Sequence, residues 1–363
     1  MDVIKKLPKD FCKRVFNECV NNINKTQSFN LIGLPGVGIS FYLRYLSANI
    51  NAHFIHINTY EMPEFTKDEL LKQFSRKISP KSSGSNYLVQ SREGLEELSK
   101  KHERIVIIIN RLDRLSKLVD QNLFDNLKFL QDASPSKIVF VLVSSKPISE
   151  LNPNIAHNTF LAQLKQLFFG TYSTNDLRAI SKIDGTNKIN ERALELSGGH
   201  HSLFQTLLRC QSIENPLSDQ MVELVVKELV SSQNAKRRDQ MQSLALGKTV
   251  NNLEYLQDIG LVKKTSRKNE FFSNLILQFL THASNSSLPS KERKLFKLLL
   301  RNCGKIVTKQ NIFDYIWGDE IASEWSLNSL VYRLRRNPAF DSNRYTIKSV
   351  KKDGYMLIDS LKN

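Results

Sequence analysis

Cysteine is sparse and scattered. The four residues Cys12, Cys19, Cys210 and Cys303 form no CxxC pair in 363 residues, which argues against both a structural zinc site and a disulfide framework. Glycine and proline are few as well, 14 and 10, so no collagen-like or low-complexity tract is present. Long hydrophobic runs are missing. The longest, "IVIII" and "VFVLV", have the length of strands, far short of the roughly 20 residues that a membrane-crossing helix needs. The amino terminus "MDVIKKLPKDFCKR" carries charge where a signal peptide needs an apolar core. The expectation is a cytoplasmic protein with no membrane partner.

What is present is a globular composition with a strong basic excess. Hydrophobic residues make up 40%, and the length suits two or three domains rather than one core. Lysine and arginine number 52 against 36 acidic residues, a formal net charge of +16. Such a surface attracts polyanions, of which nucleic acid is the commonest; a generically lysine-rich surface is the bland alternative.

From Ser28 to about Ser145, short apolar runs ("FNLI", "HFIHIN", "RIVIIIN", "KIVFVLVSS") alternate with amphipathic segments ("KDELLKQFSRKI", "GLEELSKKH", "NLFDNLKFLQD"). Continuous apolarity suits parallel strands buried between helices, an α/β three-layer domain. After about Gln166 the strand signal fades. "STNDLRAI", "NERALELS" and "HSLFQTLLRC" each open on a cap, as expected of a helical lid. "VNNLEYLQDIGLVKKTSRKNEFFSNLILQFL" fits a small winged-helix unit, and the polar "HASNSSLPS", His282 to Ser290, reads as a linker. The domains expected are therefore 1–165, 166–235, 236–284 and 285–363.

The stretch "GLPGVGIS", between an apolar run and a helical pattern, has the form of a phosphate-binding loop. Such a loop works because glycines let backbone amides converge on an anion at a helix N-terminus, while a lysine reaches the phosphates and a hydroxyl meets magnesium. Gly33, Gly36 and Gly38 satisfy the backbone requirement and Ser40 the hydroxyl, but Ile39 stands where the lysine belongs. The partner strand "RIVIIIN" should end in a metal-binding acid followed by a water-polarising glutamate; it ends in Asn110 and Arg111. Asp113 lies two residues beyond, where capping of the following helix competes with a site role. Three charged positions are neutral or reversed together, which argues against ATP hydrolysis and for no catalytic residue. Nucleotide binding by the surviving amides stays open, as ATP or ADP with magnesium or with no cofactor at all.

The order of "GLPGVGIS", "RIVIIINRLDRL", "KIVFVLVSS" and "LSGGHHSLFQTLL" resembles the AAA+ and STAND class of P-loop ATPases, including origin-recognition-like members, over roughly residues 10–280. The resemblance implies a GG-His-Pro-like lid segment near bound nucleotide. Gly198, Gly199 and His200 match it, and His201 replaces the proline. For His200, a nucleotide role and a partly exposed place at a helix start stand side by side.

The last 76 residues read as three helices and a hairpin. "SKERKLFKLLLRN" buries Leu295, Leu298 and Leu299; "TKQNIFDYIWG" opens on Thr308 and stops at Gly318; in "WSLNSLVYRLRRN" the residues Leu327, Leu330, Val331 and Leu334 form a buried stripe. The opposite face offers Ser329, Tyr332 and Arg336, flanked by Asn328, Arg333 and Arg335, all residue types that reach base edges or phosphates. "RYTIKSV" and "GYMLI" flank a basic tip, Lys351 and Lys352. From Leu288 onward 15 lysines and arginines face 8 acidic residues, a net of +7. This segment resembles the OmpR/PhoB-type winged helix through Leu288, Glu292, Leu295, Leu298, Leu299, Gly304, Val307, Trp317, Gly318, Leu334, Arg335, Gly354 and Tyr355. The resemblance implies that the helix from about Trp325 to Asn337 enters the major groove. The family's wing arginine is Lys351 here and the following glycine is Lys352, so charge is kept and the bidentate fork is lost.

The expected whole is a P-loop NTPase domain with a helical lid, followed by winged-helix domains. Its expected role is a regulator of transcription that binds double-stranded DNA, with the degenerate ATPase-like module serving for sensing or homo-oligomer formation. An ATP-dependent DNA-remodelling or replication-initiator ATPase, and a signalling or defence scaffold that binds proteins, remain as alternatives.

Overall fold

The computed structural model describes residues 7–8, 10–79, 86–116, 118–152, 155, 158–183, 190–265, 268–286, 289–318, 322–337, 340, 345–350 and 353–359. The chain divides into two compact units, one of residues 1–233 with 254–268 and one of residues 234–253 with 269–363.

In the first unit, helix α1 (Lys13–Asn24) precedes strand β1 (Phe29–Gly33), helix α2 (Ile39–Asn49), β2 (His53–Asn58), α3 (Lys67–Ile78), α4 (Tyr87–Lys101), β3 (Ile105–Asn110), α5 (Gln121–Gln131) and β4 (Ile138–Ser144). The short helices α6 (Ile148–Leu151) and α7 (Thr159–Gln163) then lead to β5 (Lys165–Phe169). All neighbouring strands run parallel, in the order β2-β3-β4-β1-β5. The continuous apolar runs have the burial their pattern requires: every residue of β1 and β4 is buried, and so is β3 up to Ile109. One apolar core gathers Phe74, Leu95, Ile107, Leu112, Phe124, Leu127 and Phe140, linking α3, α4 and α5 to the sheet. The expected α/β P-loop architecture is therefore present.

β5 corrects the expectation that strands end near Gln166. It pairs with β1 from Phe29↔Lys165 to Gly33↔Phe169. Being at the sheet's edge, "KQLFF" leaves Lys165 and Gln166 exposed, so it lacks the continuous apolar signature of the inner strands. The lid follows as α8 (Thr174–Ile183), α9 (Glu191–Ser197), α10 (His201–Leu207) and α11 (Gln220–Ser231). Helix α12 (Ala235–Ala245) belongs to the second unit, while α13 (Glu254–Asp258) and β6 (Val262–Lys264) belong to the first.

The second unit continues with β7 (Asn269–Phe271), α14 (Asn274–Ser286), α15 (Ser290–Arg301), β8 (Ile306–Thr308), α16 (Lys309–Ile316), α17 (Glu324–Arg336), β9 (Tyr345–Val350) and β10 (Gly354–Asp359). The segment expected as a linker from His282 is helical through Ser286 as the end of α14. Adding a residue to a helix already formed needs no new nucleus, so polar composition alone does not stop it. Residues 287 and 288, and with them Leu288, lie outside the described residues.

The C-terminal core buries Leu295, Leu299, Leu327, Leu330 and Leu334 fully, as their spacing requires, with Val331, Ile312 and Leu357 beside them; Leu298, expected with Leu295 and Leu299, is only partly buried, and Phe296 is buried in its stead. Thr308 caps α16 by accepting from the Asn311 amide at 3.3 Å. β8 adds a third strand to the expected hairpin, in the order β8-β10-β9, antiparallel throughout. That third strand imposes a glycine. A Cβ on Gly354 would lie 2.0 Å from the Val307 carbonyl oxygen.

Gly354→Ala should therefore destabilise the C-terminal domain by about 2 kcal/mol or more, the range of a backbone-displacing overpacking. Both tryptophans of the chain, Trp317 and Trp325, lie in this domain, so tryptophan fluorescence during urea unfolding reports it directly. An unchanged midpoint would show that β8 does not hold β10 as described.

Candidate functional site

Two places bring candidate residues together. The first is a cleft of about 640 Å³ in the first unit, lined by the loop from Gly33 to Phe41 with Arg44, Asn110, Arg111, Asp113, Ser144, His201, Ser202 and Glu228 among others. That volume is of the size that holds a small organic ligand.

The loop reaches its shape through positive φ at Gly36 (72°) and Gly38 (104°), a region that only glycine enters freely. Its carbonyls are held from one side by three donors. The His200 ring donates from Nε2 to the Pro35 carbonyl at 2.8 Å, the Ser202 amide donates to Gly36 at 2.9 Å, and the Tyr172 hydroxyl donates to Gly38 at 2.8 Å. A Cβ on Gly36 would meet Ser202 Oγ at 2.6 Å, and one on Gly38 would meet Tyr172 at 2.7 Å, so the lid leaves room for nothing larger. Helical bonding in α2 begins with the Phe41 amide, which donates to Gly38 at 2.9 Å, so the amides of Ile39 and Ser40 precede the helix's first bond, and the loop that bears them lines the cleft.

His200 is a correction. It stands at a helix start, as expected, but is fully buried rather than partly exposed, and it makes no ring face available to a ligand. Its Nδ1 accepts from the Leu203 amide at 3.2 Å, capping α10, while Nε2 holds Pro35. With both nitrogens occupied by neutral backbone groups, burial pushes its pKa down to about 4. Gly198 and Gly199 complete the segment. Gly199, at φ 92°, sits where a Cβ would lie 2.0 Å from the Tyr172 carbonyl oxygen.

Across the cleft, Ser40 accepts a hydrogen bond from Asn110 Nδ2 at 3.1 Å. Ile39 is largely buried, its Cδ1 standing 2.6 Å from where a Cβ on Gly33 would be, so the lysine position holds an apolar side chain packed against the end of β1 at the cleft's edge. Arg111 follows Asn110 with φ 58°, a left-handed backbone that a side-chain-bearing residue adopts at a cost. Its guanidinium lies 4.8 Å from the Tyr60 ring centre, and that of Arg44 lies 5.2 Å from the Phe41 ring centre. Asp113 does not cap the following helix: α5 is capped by Asp120, which accepts from the Leu123 amide at 3.0 Å, and Asp113 lines the cleft instead. Among the described residues no three His, Cys, Asp or Glu side chains are grouped so as to hold a metal ion, and all four cysteines are free thiols.

The second place is the outward face of α17. Ser329, half-exposed, and Tyr332 and Arg336, both exposed, stand on one stripe, with the Arg336 guanidinium 5.1 Å from the Tyr332 ring centre. Trp325, 78% exposed, extends it by one turn at its amino end. Its spacing of four from Ser329 is a signal available in the sequence, masked there by the expectation that a tryptophan is buried. The flanking residues have other engagements. Arg333 Nε pairs with buried Glu292 of α15 at 2.8 Å, Arg335 donates to the Ile347 carbonyl at 2.6 Å and to Ser349 at 3.1 Å, and Asn328 accepts from the Tyr355 hydroxyl at 2.5 Å. They fasten α17 to α15, β9 and β10. Lys351 and Lys352 lie outside the described residues.

Residues 283–357 match the family described as "Transcriptional regulatory protein, C terminal". The C-terminal segment carries a domain of this family. Over 87 residues, 24% of the chain, it is 32% identical to the transcriptional regulator HilA of Salmonella typhi, and 31% to that of Salmonella typhimurium. The chain spans 16% of the length of those regulators. In shape the chain is similar to a Walker-type ATPase of Pyrococcus abyssi, at 15% identity and a TM-score of 0.46 over 77% of this chain and 99% of that one. It is also similar to the ORC1 protein of Aeropyrum pernix, solved in complex with DNA, at 11% identity and a TM-score of 0.41 over 98% of this chain and 92% of that one. Among the described residues no helix is long and apolar enough to cross a membrane.

The buried neutral state of His200 gives a pH signature. Its folded pKa lies below its ordinary value of 6.5, so its contribution is complete above pH 6.5 and is lost as pH falls toward about 4. His200→Asn keeps a capping side chain that does not titrate. The melting temperature of the variant should fall below that of the parent at pH 7, and the gap should narrow as pH is lowered to 5. A gap independent of pH would mean that His200 does not stay neutral in the folded state.

Proposed function

We propose that this chain is a regulator of transcription that reads duplex DNA through α17, with the first unit binding a nucleotide that conveys a signal or organises copies of the chain. The observation that carries the DNA reading is the division of α17: one face is wholly buried in Leu327, Leu330, Val331 and Leu334, and the other presents Trp325, Ser329, Tyr332 and Arg336. A helix held this firmly by its back can lay its front in the major groove. The matched family and the HilA relatives support the same role.

The roles on α17 divide accordingly. Arg336, Tyr332, Ser329 and Trp325 face bases and phosphates; Arg333, Arg335 and Asn328 set the angle at which the helix is presented. Lys351 and Lys352 contribute phosphate charge. The cleft of the first unit, with its glycine loop and nucleotide-sized volume, supports ATP or ADP binding. Asn110 and Arg111 at the end of β3 offer neither a metal-binding carboxylate nor a base for water, which supports a binding role rather than hydrolysis.

The test is selection of a preferred site from randomised duplexes by the full chain, followed by fluorescence anisotropy at fixed salt. Tyr332→Ala with Arg336→Ala should weaken specific binding about 10- to 100-fold, the scale of one good base-directed contact. Arg333→Ala should instead lower the stability of the C-terminal domain by about 1–3 kcal/mol, because it strands the buried Glu292. Lys351→Ala with Lys352→Ala should lower the slope of log K against log salt by about 2. Unchanged site preference and affinity in the Tyr332/Arg336 double variant would refute the assignment of α17 as the reading helix.

A further inference from the structure

The metal that usually accompanies a phosphate loop does not fit this cleft. Magnesium is held by one or two carboxylates, a loop hydroxyl and the phosphates themselves, at short oxygen distances in an octahedral shell. Here Ser40 Oγ is already engaged by Asn110 Nδ2 at 3.1 Å. Turning the amide over leaves the contact neutral, so no anionic oxygen comes to the position where the metal would need one. The next residue, Arg111, brings a positive charge to the rim where a second acid belongs. Carboxylates do line the cleft, Asp113 and Glu228, but neither stands at the end of β3 beside Ser40, and among the described residues no three acidic, His or Cys side chains are grouped so as to hold a metal ion.

The charge that is present has the opposite use. Two arginines, Arg44 and Arg111, line the same cleft as the glycine loop. Each is seated on an aromatic ring, Phe41 and Tyr60, an arrangement that orients a cation without cancelling its charge. The loop itself is fixed from behind by His200, the Ser202 amide and the Tyr172 hydroxyl, so its amides are set before any ligand arrives. Resting on the nucleotide reading of the cleft, we propose that this site takes its phosphate ligand as the bare anion, free of magnesium. Arg44 and Arg111 then supply the positive charge that a lysine and a metal supply in a hydrolytic loop. The ligand class is a nucleoside di- or triphosphate, or another phosphate-bearing molecule of that size.

Calorimetric melting of the full chain tests this, with ADP, ATP or inorganic pyrophosphate, each in EDTA and in excess magnesium. A ligand at a hundredfold excess over its Kd should raise the first unit's midpoint by about 5 °C or more. The expected result is a shift in EDTA that shrinks in excess magnesium, because the metal withdraws the bare anion. Pyrophosphate acting alone would support recognition of the phosphate chain, whereas action by ADP and ATP only would support recognition of the whole nucleotide in the same metal-free form. Arg111→Asn, whose side chain tolerates the left-handed backbone, should remove most of the shift in EDTA, and Arg44→Gln provides the same test on an ordinary helical position. A shift that needs magnesium would overturn this proposal and leave the nucleotide reading standing. No shift in any arm would overturn both, and full shifts in both arginine variants would overturn the arginine assignment.

Discussion

Three donors fix the carbonyls of one glycine loop, and the arrangement of the first unit follows from them. A loop rich in glycine has the most backbone freedom to lose on folding, so its amides converge on a point only if something else holds the chain. Here the holding groups are His200, the backbone of Ser202 and the hydroxyl of Tyr172. Each comes from the segment after β5 or from the lid, so sheet and lid cannot part without releasing the loop. The tightness of the fit explains the residue types. Gly36 and Gly38 face Ser202 and Tyr172 with no space for a methyl group, and Gly199 abuts the Tyr172 carbonyl. His200 is useful there because it is neutral: a charged imidazole fully enclosed by backbone would lose hydration with nothing to replace it.

The α/β core and the C-terminal domain were both legible in the sequence because burial there is uniform. β1, β3 and β4 are buried on both faces, and their largely apolar runs announce themselves; β5 escaped because an edge strand needs only part of its surface covered, and Lys165 and Gln166 are exposed. The stripe of Leu327, Leu330, Val331 and Leu334 was legible for the same reason, since a helix buried on one side must repeat its apolar residues at its own period. Trp325 and β8 were not. An exposed tryptophan contradicts the usual partition of that residue, and a three-residue strand carries too little pattern to stand out.

Contacts between distant side chains were the least legible part. Spacing placed Arg333 and Arg335 on the flank of α17, but it could not reveal that one meets Glu292, 41 residues earlier, or that the other reaches the Ile347 carbonyl on β9. Arginine is suited to both uses, since its donors can close on a carboxylate or a carbonyl as readily as on a base. Which use prevails depends on what the tertiary fold brings within reach. The same limit applied to His200, whose partner Pro35 lies 165 residues away.

The substitutions in the phosphate loop make physical sense as a set. A lysine at position 39 without a carboxylate at 110 would place a charge beside an arginine at 111, and like charges confined to one cleft repel at short range. With an apolar Ile39 and with Asn110 bonded to Ser40, the charged residues that line the cleft are Arg44, Arg111, Asp113 and Glu228. Arg111 is then held in a left-handed backbone by a fold that stores the cost, with its guanidinium laid on Tyr60. A loop that had merely decayed would have no reason to keep a strained arginine at its rim, or three donors gripping its carbonyls. Rigid amides and placed guanidiniums are what a site needs to hold an anion, and neither is needed by a turn that only joins a strand to a helix.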